Sequence, residues 1–244
     1  SDGLRNAGDL FVDLKTAALL SAFATLVAVE EGAVEWDTPA GPPGATVRHL
    51  AAHASGLAFS GDDVQAEPGT RRIYSNTGFE VLAATIADAA GMPFAEYLHQ
   101  AVCEPLGLGA TRLEGSAAAG AVSTAADLAR FAAELQAPTL VDQRTLAEAT
   151  RVAFPGLAGV LPGYGRQQPN DWGLGFELRD GKAPHWTGER SSPETYGHFG
   201  QSGTFLWVDP PARAAAVALA DRDFGDWARR AWPAWTDAVL AALR

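Results

Sequence analysis

The chain has 244 residues, of which 47% are hydrophobic and 19% charged, which is enough for a full hydrophobic core. Its 18 Lys and Arg against 29 Asp and Glu give a net charge of −11, which disfavours nucleic-acid binding because few cations remain to neutralise phosphates. No run reaches the ~18 consecutive apolar residues of a membrane span, and no signal peptide is visible, so a cytoplasmic protein is favoured. The one cysteine, Cys103, precludes an internal disulfide, and no motif indicates a metal or a cofactor.

The first part of the chain is predicted to be mainly helical. Asp13 is a suitable N-cap for a helix over residues 14–31, whose apolar residues recur at helical spacing until Gly32 ends it. The same spacing, with Gly and Pro near the ends, predicts further helices over residues 47–53, 79–90, 94–102, about 123–135 and 145–150. Residues 155–165 are expected to be irregular surface structure.

The pattern changes after residue 170. Alternating and β-branched residues predict strands over residues 172–178, 204–208 and 214–220, the last two joined by a turn at Asp209-Pro210-Pro211. A final helix is predicted over residues 227–243. Because the strands follow one another directly, the fold class is predicted to be α+β with an antiparallel sheet.

Three phrases carry a family resemblance when they are taken in order. They are residues 49–57, the triplet Tyr74-Ser75-Asn76, and His198-Phe199-Gly200 followed by a strand. Together they resemble the serine β-lactamase and penicillin-binding family, most closely its class C, esterase and D-Ala-D-Ala carboxypeptidase branch. The resemblance covers roughly residues 10–220. It implies one β-lactamase-like domain, 1–244, with a helical lobe over about 45–170 and a sheet part over about 1–44 and 171–244.

The resemblance also implies a set of site residues. In that family an S-x-x-K motif opens the first core helix: the serine attacks an acyl carbon, and the lysine and the Y-x-N tyrosine move protons. Tyr74 and His198 are therefore catalytic candidates. The substrate-binding candidates are Asn76, Gly200, Gln201 and Gly203. The backbone amides of Lys15 and Gln201 match the family's oxyanion donors, whereas His49 and His53 match a structural helix end rather than a metal pair.

The S-x-x-K motif itself is altered. When the phrase Val29-Glu30-Glu31-Gly32 is used as the anchor, Lys15 takes the place of the serine and Ala18 that of the lysine. An alternative register places Val12 at the serine and Lys15 at the lysine, but it requires a three-residue shift in the helix. Neither register supplies a serine nucleophile, so little or no serine-type hydrolase turnover is predicted.

Lys15 is a third catalytic candidate, and its role stays open. It is either the remnant of a decayed site, a working amine that attacks a carbonyl, or a long side chain whose ammonium reaches the place vacated at Ala18. The alternatives to a weak hydrolase are thus a non-catalytic pseudoenzyme and an amine-dependent enzyme. In each case the expected partner is a small-molecule acyl, ester or peptide ligand. An uncovered sheet edge would allow oligomers, because relatives carry more residues before the motif.

Overall fold

The computed structural model describes residues 17–243 and the backbone of residues 12–14. Lys15 therefore lies outside the described residues. The helices are α1 (Ala17–Glu30), α2 (Val47–Ala51), α3 (Asn76–Ala90), α4 (Phe94–Leu98), α5 (Ala125–Gln136), α6 (Gln143–Ala149) and α7 (Asp226–Ala242), and a π-helical turn, His99–Cys103, continues α4. The strands are β1 (Val12–Leu14), β2 (Arg112–Leu113), β3 (Ala121–Ser123), β4 (Gly159–Leu161), β5 (Gly165–Gln167), β6 (Glu177–Leu178), β7 (Tyr196–Phe199), β8 (Phe205–Asp209) and β9 (Ala214–Ala218).

The main sheet has four antiparallel strands in the order β6-β7-β8-β9. Side chains alternate along β8, so Leu206 and Val208 join the large core that contains α1 and α5. Phe205 and Trp207 belong to a second core that contains Trp232 of α7. Helices thus cover both faces of an antiparallel sheet, which confirms the predicted α+β class and β-lactamase-like fold. The predicted division into one domain with two lobes stays a prediction.

The start of the first helix was predicted wrongly. Residues 12–14 form β1, which pairs antiparallel with β3, and Asp13 lies opposite Val122 in that ladder instead of capping a helix. Within the described residues α1 begins at Ala17 and is buried along most of its length. The helical spacing of apolar residues could not show that residues 12–14 form a strand, because their pairing partner lies about a hundred residues away in the sequence.

Three differences concern the second half of the chain. Residues 172–178 are not one strand: Gly175 has φ +93°, and a Cβ there would approach the Ala22 Cβ to 2.2 Å, so only β6 remains extended. Residues 155–165 are not wholly irregular, since β4 and β5 form a hairpin with Val160 opposite Arg166. The strand β7 was not predicted at all. Across the described ranges, no helix combines the length and apolar character needed to cross a bilayer.

Candidate active site

A cleft of about 400 Å³ gathers five of the site residues that the sequence predicts. Those residues are Tyr74, Asn76, His198, Gly200 and Gln201. Apolar side chains form much of the remaining wall, among them Phe59, Leu161, Trp172 and Phe199. Gly203 does not line the cleft. It is buried in the adjacent turn with φ +76°, and a Cβ there would lie 2.0 Å from the Arg222 carbonyl oxygen, so it shapes the turn.

The start of α3 holds Tyr74 and Asn76 in place. Ser75 is the N-cap residue, and its Oγ accepts a hydrogen bond from the Gly78 backbone N–H at 2.9 Å. The same hydroxyl donates to the Ala58 carbonyl oxygen at 2.6 Å, which ties the cap to the preceding loop. Helix α3 therefore begins at Asn76, earlier than predicted, and its first turn fixes the two residues that flank the cap.

Tyr74 is surrounded by aromatic rings. Its ring centroid lies 4.5 Å from that of His53, 5.5 Å from His198 and 5.8 Å from Trp172. Burial raises the pKa of the Tyr74 phenol above its ordinary value, because the charged phenolate loses its hydration there. The phenol therefore keeps its proton at neutral pH.

His198 lies on β7, and its two ring nitrogens differ in their hydrogen bonding. Its Nδ1–H donates to the Phe199 carbonyl oxygen at 2.6 Å, which fixes the neutral tautomer with a lone pair on Nε2. That Nε2 is buried and has no hydrogen-bond partner among the described residues. Burial lowers the pKa of His198 to about 4, although the Phe199 carbonyl and Glu177 partly oppose it. At neutral pH His198 is thus a neutral imidazole with an unprotonated Nε2, in the wall of the cleft.

His53 is a site neighbour that the sequence analysis placed at a helix end. Its Nδ1 accepts a hydrogen bond from the Ser75 backbone N–H at 3.1 Å, so the proton of the neutral ring lies on Nε2. This second nitrogen is also buried without a described partner. Burial, with smaller contributions from the charges of His198 and Arg72, lowers the pKa of His53 well below its ordinary value. The phrase of residues 49–57 was the one signal that could have drawn attention to it.

Glu177 borders the same cleft at the start of β6 and was not predicted as a site residue. Its Oε2 accepts hydrogen bonds from His185 Nε2 at 2.9 Å and from Trp186 Nε1 at 2.8 Å, and its Oε1 pairs with the Lys182 ammonium. Burial alone would raise the pKa of Glu177, but His185 and Lys182 outweigh it and hold the pKa at about 2. Lys182 also donates to the carbonyl oxygens of Asp171 and Leu178, each at 2.6 Å.

The turn after β7 presents a backbone donor. The Gly200 N–H is used within the turn, where it donates to the Thr204 carbonyl oxygen at 2.8 Å. The Gln201 N–H has no acceptor among the described residues, although the Gln201 carbonyl accepts from the Phe224 N–H at 2.8 Å. This amide is where the resemblance places an oxyanion donor, and a carbonyl oxygen in the cleft can accept its hydrogen bond.

Arg72, two residues before Tyr74, is buried and links several backbone segments near the cleft. Its guanidinium donates to the carbonyl oxygens of Asn170 at 3.0 Å, Ala52 at 2.5 Å, Ala153 at 2.6 Å and Phe154 at 3.0 Å. Burial lowers its pKa to about 10, so the side chain stays charged at neutral pH. Among residues 17–243, no group of three or more His, Cys, Asp or Glu side chains is arranged to hold a metal ion.

Comparisons with known proteins agree on the family. The family model described as beta-lactamase matches residues 18–240. A beta-lactamase from Mycobacterium bovis is 58% identical, with a TM-score of 0.95 over 97% of this chain and 88% of that one. Simvastatin synthase from Aspergillus terreus, at 15% identity, shares the fold with a TM-score of 0.76 over 96% of this chain and 84% of its own.

A more distant relative is a Salmonella newport protein that carries the name D-alanyl-D-alanine carboxypeptidase. It is 24% identical over an alignment that covers 65% of this chain and 47% of the relative. The chain therefore spans about half the length of the curated relatives it matches. The matched family model and the close Mycobacterium bovis structure, together with the cleft at the predicted motifs, show that this chain belongs to the β-lactamase family of the serine β-lactamase and penicillin-binding superfamily.

Proposed function

We propose that this chain binds a small acyl, ester or peptide ligand in the cleft and has little or no serine-type hydrolase turnover. The observation that carries the proposal is the altered S-x-x-K motif, because neither register places a serine at the nucleophile. Burial also raises the pKa of Tyr74, which disfavours the phenolate that a tyrosine base would need.

The position of Ala18 supports the same conclusion. In the register anchored on Gly32, Ala18 stands where the family has its lysine, and Lys15 where it has its serine. Ala18 is 1% exposed and lies within the large core on α1. A buried methyl group neither donates nor accepts a proton, so the family's usual lysine function has no equivalent at this position.

The cleft retains groups that suit binding. The Gln201 N–H and the Tyr74 hydroxyl are donors for a carbonyl oxygen, and His198 Nε2 is an acceptor for an amide or hydroxyl of the ligand. Phe59 and Leu161 supply apolar contact for an acyl group. A cavity of about 400 Å³ is in the range that small ligands occupy.

Turnover is tested first with nitrocefin and 4-nitrophenyl butyrate. We expect the wild-type protein to release no product beyond the buffer rate. The double variant Lys15→Ser/Ala18→Lys restores the family motif in this register, and hydrolysis by this variant alone would show that the remaining cleft is competent. A burst of acylation by the wild-type protein, trapped on a serine and located by mass spectrometry, would contradict the proposal.

Binding is tested separately with hexanoic acid 4-nitroanilide, whose amide resists hydrolysis. Titration calorimetry should give saturable binding to the wild-type protein and weaker binding to His198→Phe. The matched control is His99→Gln, because His99 is exposed and lies outside the cleft lining. If neither this amide nor any member of a β-lactam panel binds, the proposed function is wrong.

A further inference from the structure

A second cavity, of about 460 Å³, adjoins the cleft. The two cavities share Phe59, Tyr74 and Pro162 in their walls, so they lie side by side. Phe59 and Val160 at this cavity are 55% and 60% exposed. These two side chains offer apolar contact to a methylene chain that crosses between the cavities.

The second cavity differs from the cleft in charge. Arg71, Arg72 and Arg166 line it, whereas no Asp or Glu of the described part of the chain does. Arg71 and Arg166 are exposed, and among the described residues neither forms an ion pair or a side-chain hydrogen bond. Within residues 17–243 the buried Arg72 donates to carbonyl oxygens and to no carboxylate, although the charge of Asp171 is close enough to raise its pKa against the effect of burial. In a chain with net charge −11, this local excess of positive charge is a distinctive property of the site.

The backbone under both exposed arginines is held in place. Arg166 lies on β5 opposite Val160 of β4. Arg71 directly precedes Arg72, whose own N–H donates to the Ala158 carbonyl oxygen at 3.0 Å. Gln65 reaches the cavity from a loop whose carboxylates, Asp62, Asp63 and Glu67, do not line it. Two guanidinium groups on fixed backbone suit a carboxylate, because each presents a planar set of donors.

We propose that the second cavity is a carboxylate-binding subsite, and that the ligand is an acyl compound whose far end carries a carboxylate, as in a monoamide or monoester of a dicarboxylic acid. The inference rests on the proposed function, since it requires the acyl group to lie in the first cavity. In this arrangement the carbonyl lies at the Gln201 turn, the methylene chain passes Phe59, and the carboxylate meets Arg71 and Arg166.

The test uses two ligands that differ only at the far end. They are hexanoic acid 4-nitroanilide, which is neutral, and adipic acid mono-4-nitroanilide, which ends in a carboxylate; glutaric and suberic homologues vary the spacing. Calorimetric titrations compare the wild-type protein with Arg71→Ala, Arg166→Ala and the double variant. Both residues are exposed, so the variants should remain folded, as far-ultraviolet circular dichroism will check. Arg230→Ala, at an exposed position on α7, is the matched control.

We expect the wild-type protein to bind the acid about tenfold more tightly than the neutral amide, and each single variant to reduce that preference about threefold, as exposed ion pairs of modest strength imply. The double variant should bind both ligands equally, with the affinity for the neutral amide unchanged. Added NaCl should weaken the preference, because salt screens exposed charges.

Three results would overturn the inference. Equal wild-type affinity for acid and amide at every chain length would do so while leaving the proposed function intact. A preference that Arg230→Ala reduces as much as Arg166→Ala would show general charge attraction instead of a subsite. Absence of binding by any of these ligands would reject the proposed function, and the subsite with it.

Discussion

Two buried polar clusters border the cleft, and they differ in whether their polar atoms are paired. The carboxylate cluster consists of Glu177, Lys182, His185 and Trp186, and both oxygens of Glu177 are hydrogen-bonded. The aromatic cluster consists of Tyr74, His53, His198 and Trp172, and both histidine Nε2 atoms lack a described partner. An unpaired buried polar atom costs about 1–3 kcal/mol. The paired cluster therefore stabilises the wall of the cleft, whereas the unpaired nitrogens are consistent with the ligand binding that we propose.

The largest expected effect comes from breaking the carboxylate cluster. Glu177→Ala leaves the buried Lys182 ammonium without its anion and the His185 and Trp186 N–H groups without acceptors. We expect the free energy of unfolding to fall by about 3–5 kcal/mol, as for other buried ion pairs that lose one partner. Urea denaturation measures this change. Glu194→Ala, at an exposed position, should change stability by less than about 0.5 kcal/mol; a similarly small effect at Glu177 would contradict the assignment.

Acid should act on His198 and on Glu177 in different pH windows. Burial lowers the pKa of His198 from 6.5 to about 4, so between these values the unfolded chain binds a proton that the folded chain does not. Stability is therefore lost as the pH falls from 6.5, by about 3 kcal/mol at pH 4 from this residue. The pKa of Glu177 is lowered from 4.5 to about 2, so its loss begins only below pH 4.5.

The pH effect is measured by urea denaturation at pH 7, 5.5 and 4. His198→Gln should flatten the dependence between pH 6.5 and 4 but not abolish it, because burial also lowers the pKa of His53 and His185. His99→Gln serves as the control at an exposed position and should leave the wild-type profile unchanged. A full wild-type slope in His198→Gln would show that the imidazole of His198 is not held neutral.

A smaller effect is expected at the cap between the two cleft residues of α3. Ser75→Ala removes the acceptor of the Gly78 N–H and the donor to the Ala58 carbonyl oxygen. Loss of an N-cap costs about 1–2 kcal/mol, and thermal denaturation should show it. Ser60→Ala, in the exposed preceding loop, is the control. If Ser75→Ala also weakens binding of hexanoic acid 4-nitroanilide, the cap positions Tyr74 and Asn76; unchanged stability would mean that the cap is unimportant.

The smallest change in stability is expected where a polar atom is already unpaired. His198→Phe removes the buried Nε2 together with one hydrogen bond, from Nδ1 to the Phe199 carbonyl oxygen. The two effects oppose each other, so we expect a change below about 1 kcal/mol in the free energy of unfolding at pH 7. His185→Phe, which breaks paired contacts to Glu177, is the matched comparison and should cost more. Equal losses in the two variants would remove the distinction between the clusters.

Local signals predicted the parts of the fold that depend on neighbouring residues. Gly91 ends α3 in the left-handed conformation at φ 69°, as the sequence indicated, because a single glycine provides that geometry. Strand β7 was missed, since its four residues include Gly197 and strand signals are weak at glycine. Glycine is required at position 197 because β8 passes so close that a Cβ there would lie 2.0 Å from the Leu206 carbonyl oxygen.

The residues of the candidate site also fall into those that the sequence predicted and those that only the structure showed. Tyr74, Asn76 and His198 were predicted because they stand in motifs whose order is readable along the chain. His53 and Glu177 were not, because what matters about them is contact with residues elsewhere. His53 meets a backbone N–H 22 residues away, and Glu177 meets side chains from the loop that follows β6. No periodicity or composition records such contacts, so only the folded chain reveals them.

Arg72 ties together three stretches of chain that lie far apart in sequence, around Ala52, Phe154 and Asn170. A lysine has no planar array of donors to serve all of them, so we expect this position to resist change during divergence. Arg71 and Arg166 form no such hydrogen bonds among the described residues, so they can be substituted without disturbing the fold. If the proposed subsite binds a carboxylate, a lineage can therefore exchange the charge of the second cavity, and with it the preferred ligand, while the wall held by Arg72 keeps its shape.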